Sequence, residues 1–237
     1  MAERSDRIPV VARSFLAIAI PVVVYSLSFA PPLYMSMLLI RWFNPRNYIH
    51  FFLLPILVFL NFLFTLVTVT LISGSFAWLF KRKINEGEYE ITLGDKTVFR
   101  YALYCIFYRT PLKILNIINF LPLRYALLRL AGLKMGKNCR LMGNELIEDP
   151  FVTEIGDNTL IGGYTIITAH LIEEKLKISK IKIGSNCLIG GAAFIMPGVI
   201  IEDNVTVGAM SLVPKNKVLR RNRIYVGIPV REIGERR

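Results

Sequence analysis

Residues 183–215 read IGSNCL IGGAAF IMPGVI IEDNVT VGAMSL VPK, and the spacing inside this stretch decides the fold. A branched aliphatic opens every hexad, at Ile183, Ile189, Ile195, Ile201, Val207 and Val213. A second inward position follows four places later, at Cys187, Ala193, Val199, Val205 and Ser211. A period of six matches neither the 3.6 of a helix nor the 2 of a two-sided strand; it matches a chain wound in triangular coils, one flat face per hexad. Each leading aliphatic points at the coil axis. Gly184, Gly190 and Gly208 follow it where a corner leaves little room for a Cβ.

The phase extends upstream through Ile155, Ile161 and Ile167, and less regularly through Met135, Leu141 and Ile147. Residues 171–182 are charged and out of register, so they read as a loop thrust out of a coil. A passive rod needs only neighbouring rungs to bury their inner faces, and it has no use for such a loop.

The quoted stretch, with Tyr225-Val-Gly-Ile-Pro-Val-Arg-Glu-Ile after it, resembles the hexapeptide-repeat acyltransferases. The resemblance covers residues 135–233. It includes the proline–glycine corner (Pro197, Gly198), a Gly-Ala-x-Ser-x-Val rung (Gly208 to Val213) and the closing Gly-x-Pro element (Gly227 to Pro229). Asp149-Pro150 through Gly163, with Thr168-Ala169-His170, is similar to the acyltransferase-like domains at the carboxy end of bacterial amino-acid homopolymer synthetases. The resemblance implies a left-handed parallel β-helix that trimerises, with a thioester donor lying between neighbouring subunits. A solenoid of few coils has a small core and open ends, so caps or partners are expected on physical grounds as well.

The first third of the chain is of another kind. Residues 14–40 and 49–80 contain no Asp, Glu, Lys or Arg, and each stretch is long enough to cross a bilayer. With 54% hydrophobic residues and a net charge of +12, the composition excludes an ordinary soluble enzyme and points to an integral membrane protein in contact with membrane lipids. Pro21, Pro31 and Pro32 make the first stretch either a kinked span or a re-entrant hairpin. Ser28-Phe29-Ala30 is like a signal-peptide cleavage site, but Pro31 directly after it argues against processing. Arg4, Arg7 and Arg13 precede the first stretch, Lys81, Arg82 and Lys83 follow the second, and only Arg41 and Arg46 lie between, so both ends are expected in the cytoplasm.

The expected organisation is a membrane helical hairpin over residues 1–83, a linker with amphipathic helices over residues 84–133, and the β-helix over residues 134–237. In the middle segment Pro111 and Pro122 are expected to divide the chain into short pieces. These pieces either cap the open coil or lie in the headgroup layer with arginines snorkelling, and the second reading is favoured. The three cysteines form neither a disulfide framework nor a metal spacing.

The β-helix holds one of the chain's two histidines, His170, at the end of a rung just before the loop. Acyl transfer to an amine or hydroxyl needs a base that is neutral near pH 7, and imidazole suits that need. By resemblance, His170 holds the place of the family's catalytic histidine. The alternative is a packed imidazole with no chemical role. His50 falls at the edge of an apolar segment and reads as interfacial. Acidic candidates for orienting His170 or holding an acceptor are Glu145, Glu148, Asp149 and Glu154, with Glu148 and Asp149 foremost because they interrupt a rung just before Pro150.

Acyl-coenzyme A is the expected co-substrate. By resemblance, Gly191, Ala192 and Ala209 let its pantetheine arm approach, Pro229 holds the closing turn, and Lys215 and Arg231 meet its phosphates; a basic surface serves anionic lipid headgroups equally well. No metal site is expected, because a zinc site needs three protein ligands and only His170 is at hand. No nucleic-acid partner is expected. The expected function is a cytoplasm-facing, membrane-anchored, trimeric acyltransferase moving an acyl (acetyl) group to a hydroxyl or amine, with a lipid-linked molecule among the candidate acceptors. Two competitors stand beside it. One is an amide-forming enzyme using carrier-bound aminoacyl thioesters, and the other is a non-catalytic trimeric scaffold.

Overall fold

The computed structural model describes residues 10–236; Arg4 and Arg7, which enter the topology argument, lie outside them. Four helices precede the repeat region: α1 (Val10–Trp42), α2 (Tyr48–Lys81), α3 (Lys96–Ile118) and α4 (Leu121–Ala131). Both long helices run unbroken through their prolines, Pro21, Pro31 and Pro32 in α1 and Pro55 in α2. Helix α1 is therefore continuous, and the chain reverses only after Trp42. There His50 stacks on Trp42 with ring centroids 3.8 Å apart, and its Nδ1 accepts from the Asn44 amide at 3.0 Å.

Both helices are long and apolar enough to cross a membrane. Their two halves differ. The basal half is packed: Val24, Ser28 and Pro32 of α1 and Leu66 through Ala77 of α2 contribute buried side chains. Residues 33–65 contribute none, and there Phe52, Leu33, Phe59 and Ile56 are exposed. Asn61 bridges this distal pair by donating to Ser36 Oγ at 2.7 Å.

Helices α3 and α4 form a layer between the hairpin and the coils. Asp95 caps α3 by accepting from the Thr97 and Val98 amides. Pro111 does not divide α3 as expected: its buried ring is packed into the layer, where burial offsets the one lost hydrogen bond. Pro122 does open a new helix, and Gly132, in the left-handed region at φ 112°, ends it. The aromatic face of α3, expected in a headgroup layer, turns inward instead: Tyr104, Phe107 and Tyr108 are fully buried. Tyr104 donates to the Ala131 carbonyl at 3.1 Å and Tyr108 to the Ile147 carbonyl at 2.6 Å, so the layer closes the open first coil. Ile114, Ile117 and Ile118 of α3 stay exposed.

The repeat region is a parallel β-helix with three faces. One face stacks Lys134–Met135, Thr153–Ile155, Ile181–Ile183, Ile200–Ile201 and Val218–Leu219. The second runs from Arg140–Leu141 to Arg223–Val226 and ends on the antiparallel strand Arg231–Glu235. The third stacks Leu146–Ile147, Ile166–Ile167, Phe194–Ile195 and Leu212–Val213. In register, Ile155 pairs with Ile183 and Ile183 with Ile201, so the hexad aliphatics stack in columns and form the buried core. A Cβ on Gly156 would come within 2.6 Å of the Ser185 amide in the next coil, which is why the corner after the aliphatic is glycine.

The corners carry a second regularity. Asn138, Asn144, Asn158, Asn186, Asn204, Asn216 and Asn222 all have positive φ. Asparagine is the side chain best tolerated in that region after glycine. Residues 171–182, expected as a loop, instead form a hairpin: His170–Ile172 pairs antiparallel with Leu176–Ile178, and Gly87–Tyr89 adds a third strand. The alternation Leu176-Lys-Ile178 is a strand pattern, and Lys177 reaches Glu88 across the sheet at 3.2 Å.

Candidate active site

His170 sits where the third face ends and the hairpin begins. The chain leaves Ile166–Ile167, and the Ser179 amide returns to the Ala169 carbonyl at 2.8 Å, so the hairpin is pinched at its base and His170 is held at the pinch. One coil earlier, Pro150–Val152 makes a short turn that tucks Asp149 inside, with no exposure at all.

The buried Asp149 carboxylate is met from three directions. Its Oδ2 accepts from the Ala169 amide at 3.0 Å and lies 2.7 Å from His170 Nδ1. Its Oδ1 accepts from the Tyr101 hydroxyl at 2.7 Å. Against a carboxylate acceptor Nδ1 carries the hydrogen, which leaves Nε2 with the free lone pair. The His170 side chain is 15% exposed, so the imidazole is not sealed in the core as Asp149 is. An imidazole held this way can take a proton on Nε2 while the carboxylate steadies the cation formed.

Helix α3 walls the site. The Tyr101 ring lies 5.7 Å from the imidazole, and Arg109 Nη2 approaches the Tyr101 hydroxyl at 3.4 Å and Glu148 Oε2 at 4.0 Å. Glu148 Oε2 is 3.8 Å from His170 Nδ1, farther than Asp149. Burial, reinforced by the Asp149 charge, pushes the Tyr101 phenol far above its ordinary value, so it remains a donor. Burial works against the Arg109 charge, but Cys105, Tyr101 and the two carboxylates outweigh it and carry the guanidinium upward. Burial also pushes the Cys105 thiol up to about 12.

Of the four acidic candidates, Asp149 and Glu148 stand beside His170. Glu145 is buried against Arg124, and Glu154 is held by Lys134 and Lys180. Lys215 lies on the same edge of the prism as His170, because the coils stack Asn216 on Pro197 and Gly198 on Ser179; its ammonium reaches Glu173 of the hairpin at 3.0 Å. A groove of about 440 Å³ runs beside the hairpin there, lined by Leu171, Ser179, Pro197 and Lys215.

Gly191, Ala192 and Ala209 lie on a different edge, before the third-face strands rather than after them. The Ala192 amide donates to the Gly163 carbonyl and the Met210 amide to the Gly191 carbonyl. The Gly227 to Pro229 turn joins this edge through the Leu212 amide, with exposed Arg231 just beyond. Within one chain these residues do not meet His170. Tyr101 and Arg109 were missed by the sequence reading. Their only signal is the spacing Tyr101, Cys105, Arg109 along one face of a helix.

Comparisons with known proteins agree with this fold. Residues 180–215 match the family described as bacterial transferase hexapeptide (six repeats). The "putative colanic acid biosynthesis acetyltransferase" of Escherichia coli is 33% identical over 132 residues, 44% of this chain and 72% of that protein. The chain belongs to the hexapeptide-repeat transferase family. The galactoside O-acetyltransferase of Escherichia coli is 34% identical over 113 residues, 44% of this chain. The delta-poly-L-ornithine synthetase of Acinetobacter baumannii is 24% identical over 235 residues, 86% of this chain. The chain spans 55% of the former's length and 16% of the latter's. A solved maltose O-acetyltransferase from Clostridium difficile aligns with 22% identity and a TM-score of 0.48 over 65% of this chain and 96% of that one.

Proposed function

We propose that this protein is a membrane-anchored acyltransferase that moves an acetyl group from coenzyme A to a hydroxyl or amine, with His170 as general base. The observation that carries the reading is the buried Asp149 carboxylate 2.7 Å from His170 Nδ1, beside an imidazole side chain that remains 15% exposed. The acceptor oxygen or nitrogen attacks the thioester carbon as His170 Nε2 takes its proton. The C–S bond then breaks, and the departing thiolate receives that proton from the imidazolium.

Gly191, Ala192, Ala209, Pro229 and Arg231 form the donor surface in this reading, and Lys215 meets a coenzyme phosphate or the acceptor from the histidine's edge. That the two groups occupy different edges supports a homotrimer, in which the donor edge of one protomer faces the histidine edge of its partner. The distal hairpin supports membrane insertion: the 18 residues 48–65 span about 27 Å as a helix, against a hydrocarbon core of roughly 30 Å. Lys81, Arg82 and Lys83 at the packed base support a cytoplasmic catalytic domain. A site beside the membrane base suits a lipid-linked acceptor, which cannot leave the bilayer. An amide-forming reaction with carrier-bound aminoacyl thioesters is the second reading, favoured by the similarity to the polyornithine synthetase over most of the chain.

The test is thiol release from acetyl-coenzyme A by detergent-solubilised protein with candidate acceptors, compared with His170→Ala and with native mass. A trimer whose turnover falls roughly 10²- to 10⁴-fold on substitution, at unchanged melting temperature, supports the reading. Turnover untouched by the substitution removes His170 as base, and no turnover with any thioester favours a scaffold.

A further inference from the structure

Asp149 has two carboxylate oxygens, and the repeat region looks after only one of them. Oδ2 receives the Ala169 amide and faces the imidazole; Oδ1 receives a donor from outside the solenoid, the Tyr101 hydroxyl. A carboxylate with no exposure cannot replace a missing donor with bulk water, so the orientation of both oxygens depends on that phenol.

The phenol is itself fixed. Helix α3 is pinned to α1 by Tyr25, which donates to the Ile106 carbonyl at 3.0 Å, to α4 by Tyr104, and to the first coil by Tyr108. We propose that Tyr101 is a positioning residue of the His170 site: it holds the Asp149 carboxylate in the plane that aims the imidazole, and through α3 it makes that aim depend on how the membrane hairpin is seated. The proposal rests on the acyltransferase reading for its kinetic consequences, but not for its geometry.

Removing the hydroxyl leaves Oδ1 buried without its donor. Negative charge then shifts toward Oδ2, the oxygen that faces His170, which favours the protonated ring. The charged and titratable groups around the pair are Glu148 before Asp149 and Tyr101, Tyr104, Cys105, Tyr108 and Arg109 on α3; Tyr101→Phe removes the long Arg109 contact with the phenol and keeps every other group. The effect expected is a loss in kcat on the order of 10- to 100-fold, the size of a hydrogen bond to a charged group.

The experiment compares the full-length parent with Tyr101→Phe and with Tyr104→Phe, which loses an equally buried phenol on the same helix that bonds Ala131 rather than Asp149. Acetyl-coenzyme A turnover is measured against pH, beside NMR of ring-labelled histidines, where His170→Ala assigns one of only two sites. In Tyr101→Phe we expect the kcat loss, a donor KM within about twofold of the parent, an acid limb of kcat/KM moved to higher pH, and His170 resonances that titrate later while those of His50 stay put. Tyr104→Phe keeps the parent pH profile. Parent-like His170 resonances in Tyr101→Phe overturn the proposal, as does an equal kcat loss in both variants without a pH shift. If the parent consumes no thioester, the acyltransferase reading fails, and the histidine spectra still decide the role of Tyr101.

Discussion

Replacing Asp149 by Asn removes the charge of the site while keeping its shape. Three donors converge on this side chain: the Tyr101 hydroxyl on Oδ1, and the Ala169 amide and His170 Nδ1 on Oδ2. An amide has one oxygen to offer. Neither N–H at Oδ2 can accept, so the Asn oxygen takes that place and its NH₂ faces Tyr101, whose hydroxyl can rotate to accept. The Ala169 amide and His170 Nδ1 keep their acceptor, the histidine keeps its tautomer, and the fold loses one buried acceptor, that of the phenol hydrogen. What disappears is the charge that steadies the imidazolium. Unit charges about 4 Å apart in an effective dielectric of about 20 attract by about 4 kcal/mol, and exchanging a charged hydrogen bond for a neutral one costs about 1 kcal/mol. These bounds place the expected loss in kcat between roughly 5-fold and 10³-fold. Thiol release from acetyl-coenzyme A beside a thermal melt measures both quantities. Asp149→Ala is the contrast, since it orphans three buried donors at roughly 1–3 kcal/mol each and should lower the melt sharply. An Asp149→Asn protein that keeps its melt and turns over within about threefold of the parent would refute the charge argument.

Two further outcomes follow from buried titratable and charged groups in the cap. Arg124 and Glu145 are buried against each other, tying α4 to the first coil. Glu145→Ala strands the guanidinium and should cost about 3–5 kcal/mol, whereas the double change of both residues to Met should restore most of the melting temperature; a double variant as weak as the single would show that the pair is not the source. The second concerns alkaline pH. Cys105 is raised from 9.0 to about 12 and Tyr101, Tyr104 and Tyr108 lie above their ordinary 10.0, all chiefly through burial. These acids bind protons more tightly folded than unfolded, so their stabilising effect is complete below about pH 9 and fades as pH rises through the folded values. Melting temperature should be level with respect to these groups up to about pH 9 and fall beyond it, and Cys105→Ala should delay the first part of that fall. A melt that instead rises above pH 9 would contradict the burial of these groups.

The hexads were legible because a solenoid repeats one local decision, an aliphatic every six residues, and the observed registers of Ile155, Ile183 and Ile201 repeat it. The asparagines recur three places after the aliphatic, as at Asn186 and Asn204, though Tyr164, Ala192 and Met210 hold the same corner, and their meaning lies in backbone angles that hydrophobicity does not record. The charges of residues 171–182 hide the alternation at Leu176-Lys-Ile178, so the sequence predicts a loop where the hairpin stands. Pro111 reads as a breaker, because the cost of proline is local and visible whereas the packing that overrides it comes from α1 and α2. Asp149 was within reach, since it interrupts a rung beside His170 in the coil stack. Tyr101 was not: it meets Asp149 across 48 residues of chain, through a helix whose docking angle no spacing rule specifies.

That docking also explains why one short helix carries so many tyrosines in its core. A solenoid's first coil exposes carbonyls and amides that no preceding rung can satisfy, and an apolar cap alone would bury them unpaired. Phenols combine a large apolar ring with a polar tip, so they can cover the coil end and still reach a lone acceptor. Tyr108 does so at the Ile147 carbonyl, and Tyr125 of α4 does the converse by accepting from the Leu141 amide at 3.0 Å. Tyr101 applies the same solution to a carboxylate instead of a carbonyl. The residue that seals the core beside the first coil is thereby the one that touches Asp149, and the cap and the histidine site share one set of contacts.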